Sequence, residues 1–98
     1  MDAELLVDRL DPLRDDAFQQ LVIWRVPTPV RGSTHSFKYR LELVVNDVCV
    51  MRYDNEAGKG DHKHIGEEQV PIDFVDLATL LDEFDADVDR WSDEHSGD

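Results

Sequence analysis

Between Tyr53 and Gly66 the chain reads YDNEAGKGDHKHIG, and the spacing of its two histidines is the first chemical signal. His62 and His64 lie two residues apart, so in an extended run both imidazoles project from one face. An ordinary imidazole pKa of about 6.5 lets one ring accept a proton while the other donates one near neutral pH. That is the equipment of metal-free RNA cleavage, in which one histidine deprotonates the 2′-hydroxyl and the other protonates the leaving 5′-oxygen. Lys59 and Arg40 are the candidate ligands for charge growing on the phosphorane, and Tyr53 is the candidate base-contacting aromatic. Lys38, Lys63, Asn55 and Arg31 complete the candidate substrate contacts.

The same residues support two blander readings. Gly58 and Gly60 allow tight backbone turns, so the stretch also reads as a solvated polar hairpin tip. A His-x-His pair can alternatively offer two metal ligands, with Asp61, Asp54 or His35 as a third, but no known zinc spacing is present. The reading adopted needs neither a metal nor a cofactor. Ser33, Ser36 and Cys49 have no nucleophile setting, and Gly58-Lys59-Gly60-Asp61 lacks the length and closing Ser or Thr of a phosphate-binding loop.

The elements that must position these residues follow from the pattern of the whole chain. Ninety-eight residues with 41% apolar content make one domain with a modest core. From Asp73 the residues Phe74, Leu77, Leu80, Leu81, Phe84, Val88 and Trp91 recur at spacings of three and four, which predicts a helix capped by Asp73. Upstream the period is two. Phe37 to Val45 and Val48 to Tyr53 flank Asn46-Asp47, a pair suited to a two-residue type I′ hairpin. That turn sets Val45 against Val48, Leu43 against Val50, Leu41 against Arg52 and Arg40 against Tyr53, with Tyr53 and Asn55 on the polar side beside Lys38 and Arg40.

Phe18 to Val26 reads as a further strand ended by Pro27 and Pro29, and Pro27 to Thr34 as a loop with Arg31 at its tip. Residues 3–13 fit a short helix or a strand, and the strand is adopted. The expected fold is α+β: a curled antiparallel sheet of four or five strands with the C-terminal amphipathic helix on one face and residues 92–98 as a disordered polar tail.

Charge narrows the partners. The formal net charge is −13, distributed as −4 over residues 1–24, +2 over 25–64 and −11 over 65–98. An overall field of that sign opposes nucleic acid, so any RNA must be held locally by the cations of the middle segment. The longest apolar runs are four residues, no secretory apolar region follows the N-terminus, and the single Cys49 cannot form an internal disulfide. The expectation is a cytoplasmic protein with no membrane partner.

The segments VIWRVPTPVRGSTHSFKYRL (Val22–Leu41) and RYDNEAGKGDHKHIG (Arg52–Gly66), followed by an acidic amphipathic helix, resemble the TumE-type family of prokaryotic toxin–antitoxin proteins. The resemblance implies a growth-inhibiting toxin whose antitoxin is a small DNA-binding protein of helix-turn-helix type. Two functions then compete: a ribonuclease toxin working through the histidine pair, and a non-enzymatic interaction module that docks a basic partner through the acidic helix or the polar sheet face.

Overall fold

Residues 2–56 and 58–95 are described by a computed structural model. Six strands form one antiparallel sheet in simple meander order: β1 (Glu4–Arg14), β2 (Ala17–Arg25), β3 (Phe37–Val45), β4 (Val48–Asp54), β5 (His62–Ile65) and β6 (Glu68–Pro71). One helix, α1 (Leu77–His95), follows. The α+β expectation of a curled sheet with a C-terminal helix therefore holds, with six strands rather than four or five. The ambiguous N-terminal segment is the long strand β1. The sixth strand, β6, is a run of exposed residues without apolar alternation, which is why periodicity passed over it.

The β3–β4 turn forms as its sequence predicts, with Asn46 at φ 51° and Asp47 at φ 65°. The register beyond it is corrected. Val45 faces Val48 and Val44 faces Cys49, but Leu43 then faces Met51, leaving Val50 as an extra residue in β4. A bulge of one residue reverses the alternation of everything after it. Met51 and Tyr53 accordingly turn into the core, and Arg52 and Asp54 turn to the opposite face. Tyr53 pairs with Leu41, and Arg40 pairs with Asp54 rather than with Tyr53.

Leu21, Ile23, Tyr39, Leu41, Leu43, Met51 and Tyr53 from the sheet meet Leu80, Phe84 and Val88 from α1 in one apolar cluster. Burying a side chain of this size contributes about 1.5–3 kcal/mol. The Tyr53 ring packs edge-on against Phe84 with centroids 5.2 Å apart. The helix begins later than the sequence predicts, because the Asp76 carboxylate accepts the Thr79 backbone N–H at 2.7 Å and is the N-cap in place of Asp73. It also ends later: residues 92–95 are helical, contrary to a disordered tail from 92, and the rest of that tail, 96–98, lies outside the described residues. Among the described residues, no helix is long and apolar enough to cross a membrane.

Candidate functional site

Cross-strand partners share a face of the sheet, so register alone assembles the face opposite α1. One row runs Val22, Arg40, Asp54, His62, and the next runs Gln20, Glu42, Arg52, His64. The two histidines thus stand side by side on β5, with ring centroids 5.0 Å apart and planes nearly perpendicular. Beside them opens a groove of about 690 Å³, whose lining includes Arg31, Lys38, Arg40, Asp54 and Asn55.

His62 and His64 have different surroundings. His62 is 3% exposed, its Nδ1 is 2.9 Å from the Gly60 carbonyl oxygen, and its Nε2 is 2.9 Å from Asp54 Oδ1. Arg52 Nε approaches the other Asp54 oxygen at 3.1 Å. These ion-pair contacts are close but poorly aligned, and both Arg52 Nε and Asp54 Oδ1 are buried without a hydrogen-bonding partner among the described residues. His64 is half-buried. Its desolvation, together with the positive charges of Arg52 and His62, pushes its pKa below the ordinary imidazole value, against an opposing contribution from Asp54. A half-buried imidazole with a lowered pKa, set opposite the Arg52 guanidinium, is equipped to accept a proton near an anion.

The loops carrying the other candidates are locked to each other. Gly58 N–H donates to the Arg31 carbonyl at 2.7 Å. Gly32 has φ 98°, and a Cβ placed there would lie 2.8 Å from Gly60 N, a contact only glycine avoids. Asp61 accepts hydrogen bonds from Ser33 Oγ, from His35 Nε2 at 2.6 Å and from the Tyr39 hydroxyl at 2.8 Å. The His35 ring stacks on Phe74 at 3.7 Å, and its Nδ1 accepts the Phe37 N–H. Ser33 is therefore bonded to the carboxylate and not to an imidazole, an arrangement that clamps two loops and does not activate a nucleophile.

Of the nine sequence-selected residues, Arg31, Lys38, Arg40 and Asn55 line the groove, and His62 and His64 stand on the same sheet face. Asn55 is 1% exposed and spends its amide on structure, accepting the Tyr39 N–H and donating to the Phe37 carbonyl and Ser33 Oγ. Lys59 is exposed and pairs loosely with Glu56 at 3.5 Å. Tyr53 and Lys63 are corrected in position. The bulge buries Tyr53 under α1, where its hydroxyl donates to Asp87, and Lys63, directly opposite Tyr53, donates to Asp87 at 2.9 Å and Glu83 at 3.0 Å. The bulge brings Arg52 and Asp54 to the histidine face, where they join Glu42.

The metal alternative finds its ligands scattered. Asp61 and His35 bond to each other under Phe74, Asp54 is drawn to Arg52 and His62, and no group of three His, Cys, Asp or Glu side chains suited to a metal occurs among the described residues.

Comparison with known families decides the affiliation, because the family described as Toxin TumE matches residues 3–92, nearly the whole chain, with all six strands and most of α1. The chain belongs to the TumE toxin family. Toxins of this kind act within toxin–antitoxin systems, so an antitoxin partner is implied in general terms. No curated protein and no solved structure matches the chain. In this TumE-family chain the second resembling segment, Arg52–Gly66, holds Arg52, Asp54, His62 and His64 together on β4 and β5.

Proposed function

We propose that this toxin is a metal-independent ribonuclease whose site is the histidine face of β5 and the adjoining groove. The observation that carries the reading is the pair of cross-strand rows that sets His62 and His64 beside Arg40 and Arg52 on the sheet face opposite the helix. His64 carries the proton transfers and His62 supports it, in place of the acid–base division between two histidines that the sequence suggests. His64, the more accessible of the two and the one whose pKa is lowered, accepts the 2′-hydroxyl proton as the 2′-oxygen attacks phosphorus. The resulting imidazolium returns that proton to the 5′-oxygen as the P–O5′ bond breaks, leaving a 2′,3′-cyclic phosphate and a free 5′-hydroxyl. Arg40 and Arg52 balance the charge on the phosphorane, with Lys38, Arg31 and Lys59 along the strand's approach. His62, pinned between Asp54 and Gly60, positions His64 and reinforces its lowered pKa.

The antitoxin partner is proposed to carry a DNA-binding domain. A basic DNA-binding protein suits a toxin of net charge −13 whose helix presents Asp82, Asp85 and Asp89 to solvent. Such a partner also keeps the non-enzymatic docking reading in play, and expression in cells separates the two. Replacing His64 by alanine is expected to abolish growth arrest, whereas reversing the charges at Asp82, Asp85 and Asp89 leaves arrest intact and weakens rescue by the antitoxin. Arrest that survives His64→Ala but disappears on charge reversal would replace catalysis with docking.

A further inference from the structure

Resting on the RNA reading above, we infer that the groove is a base-recognition subsite that selects guanine, with Gln20 and Glu42 reading the base edge and Val22 and Trp24 supporting its face. The three side chains Gln20, Val22 and Trp24 alternate along β2 and line the groove together. Same-face neighbours on a strand stand about 7 Å apart, from a rise of 3.2–3.4 Å per residue. A base lying over Val22 therefore spans from the Trp24 indole to the next row, where Gln20 and Glu42 are directly opposite each other.

That row has a defined hydrogen-bonding character. A glutamine amide supplies N–H donors, and an ionised glutamate supplies acceptors only. Read side by side they offer donor, acceptor, acceptor. The Watson–Crick edge of guanine is the complement: the O6 acceptor, then the N1–H and N2–H donors. Adenine and cytosine each present one exocyclic amine beside a ring acceptor, and uracil presents one N–H between two carbonyls, so each leaves part of the row unmatched. A site built to hydrogen-bond a ligand rejects analogues that leave its polar groups unpaired.

Both readers have capacity to spare. Among the described residues no side-chain partner engages the Gln20 amide. Glu42 meets the Arg40 guanidinium only at a long 3.6 Å, stands opposite Arg52 and has the Cys49 thiol as a weak hydrogen-bonding neighbour, so a bidentate donor pair has to displace only that thiol and the long Arg40 contact. The cations are placed for the rest of a nucleotide. Lys38 is opposite Trp24 and Arg40 is opposite Val22, with Arg31 reaching in from the loop. The volume of about 690 Å³ suits one unpaired nucleotide and not a duplex. From the Arg40 row the next cross-strand partners are Asp54 and His62, so a base seated here delivers its neighbouring phosphodiester toward the histidines.

Calorimetric titration of the purified full chain with guanosine, adenosine, cytidine and uridine 3′-monophosphates tests this without any bond being cleaved. The guanosine nucleotide is expected to bind at least tenfold tighter than the other three. Glu42→Gln is expected to remove that preference, and Trp24→Ala to weaken all four at least tenfold, with the circular dichroism spectrum of each variant unchanged. His64→Ala is expected to keep the preference. Equal affinity for the four nucleotides, no binding of any of them, or a preference that survives Glu42→Gln would overturn the inference. RNA cleavage without base preference would defeat this inference alone, and guanine binding without cleavage would defeat the ribonuclease reading alone.

Discussion

The Tyr53 hydroxyl donates a hydrogen bond to the Asp87 carboxylate and so ties the C-terminal end of β4 to the buried side of α1. Asp87 also accepts from Lys63, and Arg90 donates to its other oxygen at 2.9 Å. Removing the hydroxyl leaves a buried carboxylate one donor short, so Tyr53→Phe is expected to lower stability by about 1.5–3 kcal/mol, the usual worth of a hydrogen bond to a charged group. Because Tyr53 lies across the sheet from the histidines, RNA cleavage by the folded variant is expected to stay within about twofold of wild type. Urea melts and a cleavage assay on the same preparation check both halves.

The same network gives stability a pH dependence with a definite sign. Burial alone would raise the Asp87 pKa, but the hydrogen bonds from Tyr53 and Lys63 and the charges of Lys63 and Arg90 outweigh it and hold the pKa below the usual aspartate value. A depressed carboxylate stabilises the fold above its unfolded pKa, about 3.9, and that contribution is lost as pH falls through the folded value. Burial likewise opposes the Lys63 ammonium, yet its bonds to Asp87 and Glu83 raise its pKa overall. That contribution is complete below the unfolded lysine pKa, about 10.4, and is lost as pH rises through the folded one. Urea melts are expected to weaken toward both extremes, and Asp87→Asn to flatten the acid limb.

Activity should also decline toward acid pH, here through His64. With its pKa held below the ordinary imidazole value, His64 keeps its free base to lower pH than an ordinary imidazole, and the cleavage rate is expected to fall as pH drops through that lowered pKa. Removing the Arg52 charge relieves part of the depression, so Arg52→Gln is expected to move the acid limb of the pH–rate profile to higher pH. A limb that stays in place in that variant would assign the titration to another group.

The loop clamp offers a test of how the groove is shaped. At Gly32, with φ 98°, a methyl group would press on the Gly60 backbone at 2.8 Å. Gly32→Ala is expected to cost about 1–3 kcal/mol through strain and to displace Arg31 from the groove. Nucleotide affinity is then expected to drop more than that of Lys38→Ala, which removes one exposed cation and disturbs no backbone.

Much of this fold was legible from period and turn chemistry, and the point where reading failed is a single residue. The Asn46-Asp47 turn, the apolar face of β3 and the helical stripe from Leu77 to Trp91 follow from rules that act within a few residues. The bulge at Val50 does not. Yet the unbulged register placed Arg52 opposite Leu41, a guanidinium in the apolar layer, and that conflict was the available signal. Moving Met51 and Tyr53 inward resolves it by burying an apolar pair and releasing Arg52 and Asp54 to the histidine face. The His62–His64 pairing was legible because a period of two needs no tertiary knowledge. The roles of Lys63 and Asp54 were not, because each depends on a partner more than seven residues distant in sequence: Asp87 for one and His62 for the other.

The most direct measurement is the rate at which purified protein cleaves a single-stranded oligoribonucleotide in excess EDTA, compared with His64→Ala under the same conditions. A metal-independent acid–base mechanism gives cleavage by the wild type, products with 2′,3′-cyclic phosphate ends, and a loss of about 100-fold or more in the variant. An intact oligonucleotide in the wild-type reaction, or equal rates for the two proteins, would contradict it.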